Sequence, residues 1–479
     1  MRFSNNYRSF AAVCNGNYGR KIIYTNAENI NETNIVDELN KALSVHFQNA
    51  EEIRYLDRYY RGDQPILYRT KKVRSNINNK IVENHAFELV ESKAAEIAGE
   101  PIQYVLRGTD KNKSQMIKTL NDYMQSEDKA CRDIELCRWR SICGTAYRFV
   151  SNDNGIGNLM DETPFSIMTE NPINTFVVYS SYNNKPMFSC QIRRNVDDEE
   201  YYFIYTATQT FKIQNSKIKE TGINGNFIIP VIEYPNNERR LSDIEMTITM
   251  TDAMNKMQSD RLNGIEQFIQ AFMKFKNCEI DKNEFLEMAE IGAISIKDSG
   301  AGVQSDVDII STELDQQQSQ TVKDDIYQNF LIVQGKPGRQ ENSGGDTGQA
   351  VVLRNGYYDA EKRAELSEPI FESSERNFLR VILYKLKVFN LLDLKISDIE
   401  IKIVRSKTDN MSVKANVLSL LLTSGISYQR AIKTVGLFSD PEEVAIESKD
   451  RMEYLYPTKE DNKQQIIEEN INQDVNTEP

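Results

Sequence analysis

The chain has 479 residues, 39% of them hydrophobic and 27% charged, with a formal net charge of −13. That length supports roughly three domains at about 150 residues each, and the acidic balance excludes a non-specific DNA-wrapping protein, which needs clustered cations. The first residues hold no long apolar run and no later stretch reaches about 18 apolar residues, so neither signal peptide nor membrane span is expected.

Residues 1–30, rich in Asn, Tyr and Gly, read as a flexible, loosely held arm. Ile35, Leu39, Leu43, Phe47, Ile53, Leu56 and Tyr60 lie near helical spacing and predict an amphipathic helix over 32–60, stopped by Gly62. A second helix is expected over 80–98, before Gly99 and Pro101, and one or two more over 114–143, ending near Gly144. The pattern then changes. Segments 145–150, 165–169, 175–180, 187–194, 201–206, 209–214 and 227–233 are short and rich in Tyr, Phe, Val and Ile. Asn, Gly and Pro separate them, which predicts a meandering antiparallel β region. The first 240 residues thus read as one α+β domain, helices first and strands after.

Pro235-Asn236-Asn237 ends that region, and a long helix is expected over about 241–270, carrying Leu241, Ile244, Ile248, Met254, Met257, Ile265 and Phe268. Within 272–311 strands are expected at 291–296 and 307–310. A helix returns over 318–334 with Val322, Ile326, Phe330 and Val333 on one face. The stretch Gly335 to Tyr358, GKPGRQENSGGDTGQAVVLRNGYY, opens with a loop too polar for a core and too rich in glycine to be rigid. Such a loop lines, grips or moves against something. A very long helix is expected over 348–391, interrupted or bent near Pro369. A strand at 399–405, one or two helices over 411–435 separated by Gly425, and another over 440–452 complete the folded chain. From about 457 the composition is that of a disordered tail. Long helices around a small insert need cover for their apolar faces, and copies of the same chain in a closed ring would supply it.

The catalytic patterns that the sequence touches mostly fail. Asp346-Thr347-Gly348 matches the short core of an aspartic-protease site, but Glu341-Asn342-Ser343-Gly344-Gly345 precedes it where an apolar strand is required. Gly335-Lys336 lacks the spacing of a phosphate loop. Arg69, Lys71, Lys72, Arg74 and Lys80 form a basic cluster that reads as a solvated patch more readily than a phosphate site. His85, beside Glu83 and Asn84, reads as a capping or hydrogen-bonded structural histidine, and His46 carries less weight still. The six cysteines, at 14, 131, 137, 143, 190 and 278, read as reduced packing residues; Cys131, Cys137 and Cys143 are spaced by six, a poor metal cage. No enzyme, metal or cofactor is expected.

Three segments carry a family resemblance. They are Tyr59-Tyr60-Arg61-Gly62-Asp63-Gln64-Pro65-Ile66-Leu67, the run from Asn78 to Val90 (NNKIVENHAFELV), and Gly99-Glu100-Pro101-Ile102-Gln103-Tyr104. Together they resemble the amino-terminal part of SPP1-like portal proteins of tailed bacteriophages. Ser343-Gly344 to Leu353 looks like that family's segment at the start of the long helix, with Gly345, Asp346 and Thr347 as extra residues. The resemblance spans about 45–390 and is looser afterwards.

The resemblance implies an α+β portal fold with wing, long-helix stem, small α/β clip, tunnel loop and mostly helical crown. It maps the wing to 31–240, stem helices to 241–262 and 318–334, and the clip to 263–317. The tunnel loop would be 335–347, the long wing helix 348–391 and the crown 392–456, before the tail 457–479. Lys336, Arg339, Gln340, Ser343, Gly344 and Gly345 would lie near DNA in the tunnel loop. The family further implies a dodecameric ring at one capsid vertex of the virion, assembled in the host cytoplasm, through which double-stranded DNA is packaged and ejected. Implied partners are the terminase large subunit, a head-completion adaptor, and the major capsid and scaffolding proteins, with no membrane. A different ring-forming connector or adaptor of the virion is the alternative.

Overall fold

The computed structural model describes residues 9–72, 75–108, 110–152, 163–225, 227–269, 272–276, 281, 283, 306–310, 316–337, 357–403, 411–435, 437–438 and 441–455. The chain forms two compact units. One comprises Met1–Gly19, Glu51–Val90 and Leu241–Ala364, the other Arg20–Ala50, Glu91–Arg240 and Glu365–Pro479.

A short helix α1 (Phe10–Val13) is followed by strand β1 (Ile23–Thr25). Composition places these three strand residues in a loosely held arm, yet Ile23 pairs with Val178 and Thr25 with Ser180. Helix α2 (Ile35–Tyr60) ends at Gly62, whose φ of +89° lets its N–H reach the Tyr59 carbonyl and that of Asp63 reach Arg58. Helix α3 (His85–Ala98) starts later than the periodicity suggests, because 78–83 is held extended by side chains described below. Strand β2 (Gln103–Leu106) leads to α4 (Lys111–Ser126), whose first N–H groups are capped by Asp110, and to α5 (Lys129–Cys143).

The β region contains β3 (Thr145–Asn152), β4 (Phe165–Glu170), β5 (Thr175–Ser180), β6 (Pro186–Arg194) and β7 (Glu200–Thr206). It continues with β8 (Gln209–Gln214), β9 (Lys217–Ile223) and β10 (Val231–Pro235). Strand β9 escaped the sequence pattern because it is an exposed edge with no apolar alternation. Helix α6 (Ile248–Ile269) begins after a turn over 242–247, where Glu245 accepts the Ser242 N–H and Ser242 that of Ile244, so side chains replace helical bonds there. Strands β11 (Phe272–Lys276) and β12 (Asp306–Ile310) pair antiparallel; the strand expected at 291–296 lies outside the described residues.

Helix α7 (Gln316–Gln334) and helix α8 (Tyr357–Val388) follow, the latter carrying Pro369 inside it. The expected first residues of the long helix, 348–356, lie outside the described residues. Strand β13 (Ile399–Lys402) precedes helices α9 (Met411–Thr423), α10 (Tyr428–Val435), α11 (Pro441–Glu447) and α12 (Lys449–Leu455).

The second unit holds a six-stranded sheet ordered β1-β5-β6-β7-β8-β9, a three-stranded sheet β10-β3-β4, and the pair β13-β2. Strand periodicity divides the large sheet's residues between two cores. Phe176, Phe188, Ile204 and Phe211 pack on Ile35, Leu39 and Leu43 of α2. Val177, Tyr179 and Tyr205 pack with Tyr147, Phe149 and Val231 of the smaller sheet. A third core joins α4, α5, β3, β4 and α8 through Leu120, Leu136, Phe165, Phe371, Phe378 and Ile382.

Inside that third core lies a charged cluster. Lys129 Nζ is 2.6 Å from Asp133 and 2.8 Å from Glu375, and Arg148 bridges the same two carboxylates. The Tyr104 and Tyr234 hydroxyls donate to Glu375. Burial alone would push the Glu375 carboxyl up, but Lys129 and Arg148 hold it down at about 2. Two cations thus face two carboxylates. Together they tie α5, β3 and α8 to one another within the apolar packing that surrounds them.

Candidate functional site

The segment Asn78 to Glu83, the centre of the NNKIVENHA run, lies extended and antiparallel along α6 in the first unit, before Asn84 turns with φ +51°. Three of its backbone N–H groups donate to helix side chains. Asn79 donates to Asn263 Oδ1 at 2.8 Å, Ile81 to Ser259 Oγ at 2.9 Å, and Glu83 to Asn255 Oδ1 at 3.0 Å. The geometry explains the spacing. Two residues of extended chain advance about 6.6 Å and four of α-helix about 6.0 Å. Alternate N–H groups therefore meet every fourth helix residue. Asn255 and Ser259 are fully buried and Asn263 nearly so. Gln64, also fully buried, accepts from Asn255 Nδ2 and donates to the Tyr59 carbonyl and to Asn84 Oδ1. Two of the segments that carry the family resemblance are thus joined at one polar clasp.

Helix α7 joins the same structure. Phe330 and Leu331 pack with Leu89 and Met254, while Ile326 and Tyr327 border them. Val322 and Val333, expected on this inner face, are exposed instead, and Leu331 takes an inner place. Lys323 bonds the Glu83 carboxylate and, at 3.1 Å, Gln258 Oε1. His85 lies 3.1 Å from both Glu83 and Glu88, and its ring sits tilted by 39° against Tyr327 at 4.9 Å between centroids. Burial alone would lower the His85 pKa, but the two carboxylates outweigh it and raise the value above the ordinary one. Burial would likewise raise Glu83, and His85 with Lys323 bring it below the usual carboxylate range. His85 is thus the hydrogen-bonded structural histidine its neighbours suggested. In the same unit, burial pushes the Asp252 carboxyl up to about 6 against the opposing hydrogen bond from Tyr59.

The solvent side of α7 presents Gln317, Gln318, Thr321, Val322, Asp324, Asp325, Asn329, Ile332 and Val333. Lys323, the helix's one basic residue, is turned inward to Glu83, so the exposed face carries no cation. The helix ends at Gly335 with φ +67°, where the Gly335 N–H bonds the Ile332 carbonyl and the Lys336 N–H that of Leu331. Arg363 donates to the Ile332 carbonyl at 2.8 Å. A Cβ at Gly335 would lie 2.8 Å from Arg363 Cδ. Lys336 is therefore placed at the mouth of the glycine-rich segment. Arg339, Gln340, Ser343, Gly344 and Gly345, and Asp346 with them, lie outside the described residues.

The other candidates resolve into structural roles. Arg69 pairs with Asp260, Lys71 donates to the Ile77 carbonyl and Lys80 to the Leu67 carbonyl. That leaves Lys72 exposed and Arg74 outside the described residues. His46 is buried, with Nε2 2.9 Å from the Ile173 carbonyl and its ring against Phe176. Burial pushes the Cys137 thiol up to about 12 and Cys190 higher still. Among the described residues no group of three or more His, Cys, Asp or Glu could hold a metal ion, and no helix is long and apolar enough to cross a membrane. The clasp was not legible as such in the sequence, although the polar i, i+4, i+8 series 255, 259, 263 was there to see.

A family model described as "Phage portal protein, SPP1 Gp6-like" matches residues 39–464. Among solved structures, a chain titled "Neck of empty GTA particle computed with C6 symmetry" is 11% identical, with a TM-score of 0.44 over 74% of this chain and 91% of that one. No curated protein matches.

Proposed function

Because this chain belongs to the SPP1 Gp6-like family of phage portal proteins, a structural rather than an enzymatic family, we propose that it forms a closed, twelve-membered ring at one capsid vertex. Double-stranded DNA passes through the ring during packaging and ejection. The helices α6 and α7 line part of the opening, and 335–347 form a loop that projects toward the duplex. On this reading 31–240 is the wing, 263–317 the clip on which the terminase and later a head-completion adaptor dock, and 392–456 the crown.

The observation that carries the proposal is the exposed face of α7. It offers Asp324, Asp325 and uncharged residues to solvent and keeps Lys323 turned inward. The neighbouring α6 adds the exposed Lys256, so the wall is sparse in cations; such a wall repels the phosphate backbone and lets the duplex slide, whereas a clamp would need clustered Lys and Arg. Exposed Leu262 and Ile265 on α6 supply apolar surface for neighbouring copies to cover. Lys336, Arg339 and Gln340 would provide only sparse, exchangeable contacts with passing phosphates.

Electron microscopy of the purified protein with rotational symmetry analysis tests the ring. The expected result is a closed ring with a central hole, and a strictly monomeric mass at micromolar protein would overturn the proposal. The double substitution Gly344→Val and Gly345→Val tests the loop. Rings should still assemble while DNA packaging or retention falls. Normal DNA filling in particles carrying the stiffened loop would remove the loop from the mechanism and leave the ring intact.

A further inference from the structure

We propose that His85 is an acid-dependent pin that fastens helix α7 to the clasp segment. Its imidazole stands between Glu83 and Glu88, and each of those carboxylates also holds one residue of α7. Glu83 binds Lys323 Nζ, and Glu88 accepts from the Tyr327 hydroxyl at 3.2 Å. The ring itself lies against Tyr327 and Phe330, one and two helical turns on from Lys323. The order along this chain of groups is therefore Lys323, Glu83, His85, Glu88, Tyr327. With His85 protonated, positive and negative charges alternate from Lys323 through Glu88. With His85 neutral, one ring nitrogen loses its proton, and the carboxylate beside it must face a lone pair.

The titratable and charged groups around His85 are Glu83 from the extended segment, Glu88 from its own helix, Tyr327 from α7 and, through Glu83, Lys323. The sign follows from its raised pKa. A histidine bound more tightly to its proton in the folded state adds stability that is complete below the unfolded value, about 6.5, and disappears as pH rises through the folded value. At the acid end the pin fails when Glu83, whose carboxyl is held below the usual range, is protonated. The window of tight fastening lies between those limits. This device is independent of the portal reading, since it concerns only how firmly α7 is held.

Hydrogen–deuterium exchange of the full-length protein across pH 6 to 9, corrected for intrinsic exchange chemistry, tests it. Peptides covering 316–334 should open more readily as pH rises, by about tenfold for each pH unit separating the folded and unfolded His85 titrations. His85→Gln should abolish the pH dependence and leave α7 at the wild-type alkaline level. Glu88→Gln retains His85 and should move the transition to lower pH, which covers the case in which His85→Gln fails to fold. A flat wild-type profile, or an unchanged profile in a folded His85→Gln protein, would overturn the proposal, and neither outcome bears on ring formation.

Discussion

Glu375 offers the sharpest test of how the second unit is held together. Its carboxylate is fully buried, and Lys129, Arg148, Tyr104 and Tyr234 all engage it. Replacing it with Gln keeps the volume and removes the charge, leaving two buried cations against Asp133 alone. Its folded pKa of about 2, against 4.5 for a free glutamate, corresponds to stabilisation on the order of 3 kcal/mol. Removing one member of a buried ion pair carries a cost of about 3–5 kcal/mol, in the same range. Because the folded pKa is depressed, this stability is present above the unfolded value near 4.5 and is lost as pH falls toward 2. Urea denaturation followed by near-ultraviolet absorbance should therefore show a large loss at pH 7 for Glu375→Gln and a smaller one near pH 3. Adding Lys129→Met restores charge balance and should recover part of the loss. A Glu375→Gln protein within about 0.5 kcal/mol of wild type, the ordinary range for surface changes, would refute the reasoning. So would a double variant whose loss equals the sum of the two single losses.

Two further outcomes follow from other buried polar groups. Asn255→Leu orphans both the Glu83 N–H and Gln64 Oε1, so it should cost about 2–5 kcal/mol, whereas Ser259→Ala orphans only the Ile81 N–H and should cost about 1–2 kcal/mol. Denaturant midpoints of the two variants check the order, and equal losses would contradict it. Burial lowers the Lys385 amine to about 7, and among the described residues the Val150 and Ser151 carbonyls receive it. The unfolded chain then binds more protons than the folded one between about pH 7 and 10.4, so this group makes stability rise with pH across that window. Lys385→Met should flatten the rise, as measured by melting temperature from pH 7 to 10.

How much of this was legible in the sequence depends on the kind of interaction. Apolar periodicity is local, and it located strands 175–180 and 209–214 and the body of α2 to within a few residues. It failed where polar side chains replace backbone bonds. Ser242 and Glu245 delay the start of α6, and the clasp partners of 79–83 hold that stretch out of α3. It also misassigned Val322 and Val333, because a helix with a narrow buried stripe leaves apolar residues at its margins exposed. The glycine-rich stretch reads as a loop from composition and lies, past Pro337, outside the described residues, while the structure shows how α7 terminates at Gly335 and Lys336.

Buried polar pairing was the illegible part, for a physical reason. A charged or amide side chain carries no local sign of whether it meets water or a partner, and the partners here lie far apart in the chain. Glu375 meets Arg148 across 227 positions, and Asn263 meets Asn79 across 184. On a helical wheel, Asn255, Ser259 and Asn263 form a polar stripe that solvent would satisfy equally well. They are committed only when an extended segment with unmatched N–H groups lies along that stripe, and NNKIVENHA supplies such a segment. Leaving those groups unpaired in a buried setting is costly, so the match selects one register between the two segments. A shift of α6 by one residue would break all three bonds at once. The same helix pair whose solvent face we assign to the DNA channel is thus held on its inner face by polar bonds. Directional bonds of that kind resist sliding in a way that apolar packing alone does not.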